Sequence, residues 1–215
     1  KAYEVHDKNG DFLAILYADF HPRAGKRSGA WMTSYKEQWK DEKGNSRPHV
    51  SVTMNFTKPS EERPALLTFS EVNTFLHEFG HALHGIFADT TYSSMSGTNV
   101  FWDFVELPSQ FMENFAWNWD VLQSLTAHVE TGETLPRELF DKMIAAKNFQ
   151  SGMGMVRQLE FALFDMQLHT TFNVETDEIL ELLKEVRKEV AVTEQPNYNR
   201  FPNSFSHIFA GGYAA

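Results

Sequence analysis

The sequence predicts a mainly α fold with a small β-sheet, an α+β class, and three observations carry that expectation. Apolar and polar residues alternate with a period of two in the first third of the chain. A capping box opens a long amphipathic segment at Thr68. From there onward the apolar residues recur at helical spacing.

The elements follow in order. Residues 12–20 (FLAILYADF) form an apolar run entered from the turn Lys8-Asn9-Gly10-Asp11, with Tyr3-Glu4-Val5 before it, which predicts a hairpin. Residues 21–48, rich in Gly, Lys, Arg and Ser, are expected to be a long loop. Its Gly25-Lys26 pair is no phosphate loop, because position 20 is Phe where that motif needs glycine. In residues 49–56, Val50, Val52, Met54 and Phe56 share one face and Ser51, Thr53 and Asn55 the other, which predicts a half-buried strand. Thr68-Phe69-Ser70-Glu71 starts a helix carrying Val72, Phe75, Leu76, Phe79, Leu83 and Ile86. A second helix is expected over 104–124, with Pro108 near its start, where proline is best tolerated. Three more begin at Pro136, near Gly154 and around Asp177. The last puts Ile179, Leu180, Leu183, Val186 and Val190 on one side. A β-rich part over 1–67 and a helical part over 68–215 are expected to make one domain.

Composition narrows the partners. With 215 residues, 42% of them hydrophobic, the chain can bury a core, and 19 phenylalanines make that core aromatic. A net charge of −10 makes the chain a poor match for phosphate backbones or anionic lipid, so neither nucleic acid nor membrane is an expected partner. No apolar run approaches the roughly 18 residues of a membrane span. The chain has no cysteine, which excludes disulfides and thiolate metal sites. It opens without methionine and stops after Gly-Gly-Tyr-Ala-Ala, so a piece of a longer protein is expected, with N- and C-terminal parts missing. Nothing at its start resembles a signal peptide; the cytoplasm is the expected compartment and the periplasm the alternative.

The chemistry concentrates in His77-Glu78-Phe79-Gly80-His81. Helix positions four apart stack on one face, so both imidazoles can reach one tetrahedral ion. Zinc, one per chain, suits nitrogen and oxygen ligands where cysteine is unavailable. Glu78 sits beside His77 and can take a proton from water at the metal without binding the metal itself, which is general-base chemistry. The bland alternative is a helix with two partly exposed histidines. For the third ligand, one class of such sites needs a glycine and a third histidine shortly downstream; those slots hold His84 and Phe87, so that class is rejected. The other class takes a glutamate from a following helix, and Glu106 stands at the start of the second one. Gln110 and Glu113 fall on its face one and two turns on, as candidates to hydrogen-bond the ligand histidines. A solvated helix acid is the other reading of Glu113. His84 lies one turn past His81 and either joins the ligands or packs behind the site. His6, His21, His49, His128 and His169 are scattered surface or core residues.

Four stretches resemble the thimet oligopeptidase / oligopeptidase A / peptidyl-dipeptidase family of zinc metallopeptidases. They are residues 67–84 (LTFSEVNTFLHEFGHALH), 96–110 (SGTNVFWDFVELPSQ), 19–30 (DFHPRAGKRSGA) and 205–213 (FSHIFAGGY). The similarity covers essentially the whole chain. It implies a zincin-like, thermolysin-type catalytic domain beside a deep channel that admits short unstructured peptides and excludes folded ones. It assigns zinc to His77, His81 and Glu106 and the general base to Glu78. It places His207 and Tyr213 on a Gly-rich loop contacting substrate. The Phe-Trp before Asp103 leans towards the peptidyl-dipeptidase branch, which releases C-terminal dipeptides; an oligo-endopeptidase is the alternative. Family members carry further tyrosines beyond the Gly-Gly-Tyr loop. This 215-residue piece ends before them, so it is expected to be nearly inactive alone while its parent is active. Two other classes compete. An aminopeptidase would bring carboxylates just upstream of the metal helix, where Glu61 and Glu62 stand in a solvated turn. A binding module with a structural zinc would close its site with four protein ligands.

Overall fold

The computed structural model describes residues 1–196 and 198–211, which form two compact units, residues 1–141 and 142 onward. The change from strand to helix falls earlier, between residues 53 and 69, so the compact division does not follow it.

The first unit opens with the hairpin of β1 (Ala2–His6) and β2 (Phe12–Asp19). The Asp7 carboxylate closes the turn by accepting from the backbone N–H groups of Asn9 and Asp11 at 2.8 and 2.9 Å. Residues 21–48 are not the expected loop. They contain β3 (Trp31–Lys36), β4 (Trp39–Asp41) and β5 (Gly44–Ser46). Polar composition hid them: β3 needs only the edge of a neighbour for pairing, and β4 and β5 pair only with each other as a small ribbon. The rest of the stretch is pinned rather than loose. Lys26, its side chain 3% exposed, donates to the carbonyls of Asp19, His21 and Met54.

β6 (His49–Thr53) completes a four-stranded sheet of order β1-β2-β6-β3, parallel to β2 and antiparallel to β3. The alternation predicts β6 half-buried, but the strand is buried on both faces, Ser51 and Thr53 included. Its position explains this. Neighbours flank it on both sides, and the rings of Tyr17 and Tyr35, from those neighbours, meet at 5.8 Å.

The other face of the sheet carries α1 (Phe69–Ile86), which starts at the expected capping box: Thr68 and Glu71 exchange side-chain-to-backbone hydrogen bonds. Ala82 and Ile86 bury against Ala14, Val50, Val52 and Met54, with Phe75 and Phe79 at the margin. The helix lies so close that a Cβ on Gly85 would come within 2.9 Å of the Met32 side chain. Arg47 locks its C-terminal end, donating to the carbonyls of Ile86 and Ala88 there and of Leu13 on β2.

The expected helix over 104–124 is broken into α2 (Trp102–Val105), α3 (Leu107–Glu113), a 3-10 turn (Asn114–Trp117) and α4 (Trp119–Leu125). Pro108 has no N–H to give Phe104, whose carbonyl instead takes the Glu106 N–H, so the chain turns at Glu106. Asn118, extended, restarts it by capping the Val121 N–H. Next comes α5 (Arg137–Ala146).

The second unit packs α6 (Ser151–Thr170), α7 (Ile179–Val190), α8 (Phe201–Ser204) and α9 (His207–Ala210) around Phe164, Leu183, Val186 and Ile208. Inside it the buried Glu160 accepts from Arg187 at 2.8 Å and pairs with Arg157 at 2.6 Å. Among the described residues, no helix is long and apolar enough to cross a membrane.

Candidate metal centre

α1 and α3 build the centre. They pack against one another through Gly80, where a Cβ would lie 2.6 Å from both the Pro108 carbonyl oxygen and Ser109 Cα. Glycine in mid-helix is therefore what lets the turn carrying Glu106 reach the histidines of α1.

His77 Nε2 and His81 Nε2 each lie 3.1 Å from the same oxygen, Glu106 Oε2. One ligand atom from each residue falls within 4.8 Å of the others, and all three residues are partly exposed. Two ligands about 2.05 Å from a tetrahedral zinc sit roughly 3.3 Å apart, close to the spacing found.

His77 Nδ1 lies 2.7 Å from Glu113 Oε1, and a carboxylate only accepts, so Nδ1 carries a proton. That leaves Nε2 as the atom facing Glu106 Oε2, and His81 Nε2 converges on the same oxygen, so the three atoms could share one cation. Burial pushes the His81 imidazole down, only partly offset by the charge of Glu106, and this favours the neutral form that binds metals. His81 Nδ1 is buried with no partner among the described residues.

Glu78 is on the sheet-facing side of α1 and is 8% exposed. Its carboxyl is raised above the ordinary value, first by burial and further by the charge of Glu106, against the pull of His77 and of the Met32 N–H. That suits a group that takes and returns a proton.

The other sequence candidates divide. Glu113 orients His77. Gln110 is exposed, and among the described residues no hydrogen bond joins its side chain to either histidine. His84 stands outside the three-residue cluster, its ring 6.1 Å from Phe104 and its Nδ1 buried without a partner among the described residues. His207 opens α9 in the second unit, and Tyr213 lies outside the described residues.

Two supporting residues escape the motif. Ser109, fully buried, donates from Oγ to Glu106 Oε2 at 2.6 Å. Asn73 donates to Glu113 Oε2 at 3.1 Å, so Glu113 is held from one side while it holds His77 from the other. Spacing offered a signal for both: Asn73 is one turn before His77, and Ser109 is three residues after Glu106.

Two histidines a turn apart on one helix, a glutamate from the next and a raised carboxyl beside them form a helix-borne cluster that could bind a metal ion. Sequence comparison agrees. The model of peptidase family M3 matches residues 1–215, and the chain belongs to that family. It is 48% identical over 216 residues to an oligopeptidase A of Salmonella typhimurium, covering 99% of this chain and 32% of that one. It is 38% identical over 220 residues to a dipeptidyl carboxypeptidase of Escherichia coli, covering 100% and 32%. It is 33% identical over 211 residues to saccharolysin of Saccharomyces cerevisiae, covering 97% and 30%. The chain thus spans about a third of the length of these curated relatives.

Proposed function

We propose that this chain is the metal-binding core of a zinc-dependent, zincin-like peptidase that hydrolyses short unstructured peptides. The observation that carries it is the convergence of His77 Nε2 and His81 Nε2 on Glu106 Oε2, with the raised Glu78 carboxyl beside them. Three protein ligands, all partly exposed, suit a catalytic site better than a structural one, which four protein ligands normally close. Zinc held there would polarise a peptide carbonyl and acidify a water molecule. Glu78 takes the proton of the attacking water and then delivers it to the departing amide nitrogen. Glu113 keeps the His77 proton on Nδ1 and so keeps Nε2 available as a ligand. Ser109 holds the Glu106 carboxylate in place. His207 and Tyr213 are proposed substrate contacts on the strength of the family resemblance alone.

Higher identity to oligopeptidase A than to dipeptidyl carboxypeptidase supports an oligopeptidase; release of C-terminal dipeptides is the second reading. The test is peptide cleavage by the protein expressed from its complete reading frame. Glu78→Gln should bind zinc as wild type does and lose at least 100-fold in kcat, a typical contribution of acid–base catalysis. Cleavage that survives this change would sink the assignment. Product masses separate single dipeptide release from internal cuts.

A further inference from the structure

Ser109 is a buried hydroxyl with a choice of acceptor. It stands in the first turn of α3, fully buried, with its Oγ 2.6 Å from Glu106 Oε2 and 2.9 Å from the Glu106 main-chain oxygen. A serine hydroxyl has one proton and gives it to one of them. The ordinary alternative is the back-bond to the main chain that helical serines often make. Distance and charge decide against it. The carboxylate oxygen is the nearer, at a length usual for a charge-assisted bond, which is roughly twice as strong as a neutral one.

The identity of that oxygen has a consequence for the metal centre. Oε2 is the atom on which His77 Nε2 and His81 Nε2 converge, each at 3.1 Å. A carboxylate oxygen offers two lone pairs. Ser109 takes one, which leaves one for an ion shared with the histidines. Turning the carboxylate to bring Oε1 onto the same ion would draw Oε2 off the hydroxyl. Ser109 cannot follow, because its Cα packs against Gly80 so closely that a Cβ on that glycine would lie 2.6 Å from it.

We infer that Ser109 is a positioning residue that makes Glu106 a one-oxygen ligand, through Oε2. The inference rests on the metal-peptidase reading above and adds to it the mode in which Glu106 binds. Two histidine nitrogens and one carboxylate oxygen leave a tetrahedral ion its fourth place for water or a peptide carbonyl. A carboxylate bound through both oxygens would crowd that place.

The test uses the protein from its complete reading frame, stripped of metal and reloaded with zinc or with cobalt(II). Cobalt(II) absorbs visible light strongly when four-coordinate and weakly when its coordination number is higher. Wild type should give the strong spectrum. Ser109→Ala should lower zinc affinity about 10-fold to 100-fold, the usual cost of losing a partner behind a ligand. It should also weaken the cobalt bands, as the freed carboxylate brings its second oxygen to the ion, while the metal-free protein melts close to wild type. The inference is overturned if wild type gives the weak spectrum. It is overturned too if Ser109→Ala keeps the wild-type spectrum, because the hydroxyl then gives its proton to the main chain or leaves the binding mode of Glu106 unchanged. A metal-free variant that melts far below wild type also overturns it, since Ser109 then supports the fold rather than the ligand. If wild type takes up neither metal, the metal-centre reading itself fails and this inference falls with it. If wild type takes up the metal and cleaves no peptide, only the peptidase reading fails, and the cobalt spectra still decide the role of Ser109.

Discussion

Replacing Gly80 with alanine sets two effects against each other. Alanine is the better helix former by about 1 kcal/mol, so propensity alone predicts a more stable protein. Packing predicts the opposite. The new Cβ would lie 2.6 Å from Ser109 Cα and 2.6 Å from the Pro108 carbonyl oxygen, both backbone atoms that no rotamer change can move. Ordinary carbon contacts lie near 3.5 Å, so α3 must retreat by roughly 0.6–0.9 Å. Overpacking of that kind costs about 1–3 kcal/mol, which cancels or exceeds the propensity gain. The larger consequence is at the metal. Ligand distances tolerate about 0.2 Å, and Glu106 begins the element that has to move. Gly80→Ala should therefore lose at least about 100-fold in zinc affinity, some 2.7 kcal/mol, with little change or a modest fall in Tm of the metal-free protein. Competition against a chromophoric chelator measures the first and thermal unfolding the second. A variant that binds zinc within threefold of wild type and melts higher would refute the claim that glycine is there for the approach of α3.

Other consequences concern the groups behind the ligands. Glu113→Gln removes the charge from the partner of His77, while Asn73 can turn its amide to receive the new one; zinc affinity should fall about 10-fold, and about 100-fold for Glu113→Ala, with Gln110→Ala unchanged. Equal affinity across all of these would show that Glu113 is a bystander. In the second unit, Glu160→Gln leaves two arginines without their counter-charge and should cost about 3 kcal/mol in unfolding free energy at pH 7. The pH dependence has a definite sign. Burial raises the Glu160 carboxyl, but the hydrogen bonds from Arg187 and Arg157 outweigh it and hold it below the ordinary 4.5. Its contribution is full above that value and is lost as pH falls through the lowered folded value, so the gap between wild type and variant in urea unfolding should shrink progressively below 4.5 and close once the pH is below the folded value. A gap that is unchanged there would contradict the ion-pair assignment.

The parts of this fold written locally were legible. The Asp7–Asp11 turn, the capping box at Thr68 and the stacked His77 and His81 depend on neighbours a few residues away, and the structure places them as the spacing requires. What depended on distant partners was not. β3 looks like loop because its pairing partner β6 comes after it and it sits inside a stretch rich in Gly, Lys, Arg and Ser. β6 looks half-buried because Ser51 and Thr53 are polar, yet the strands on either side remove them from solvent. Pro108 permitted a helix start in the sequence, but only the geometry shows that the chain turns at Glu106, which points the ligand back towards α1. At the site, Glu113 and Gln110 were equal by spacing. The turn at Glu106 and the break after Glu113 bring the first against His77 and leave the second in solvent.

Zinc content by elemental analysis, on wild type and Glu106→Ala purified side by side, tests the three-ligand centre most directly. That centre predicts about one zinc per chain in wild type and almost none in the variant, because two histidines alone do not hold the ion. A variant that keeps its zinc would contradict it and point to another third ligand, with His84 the first to examine.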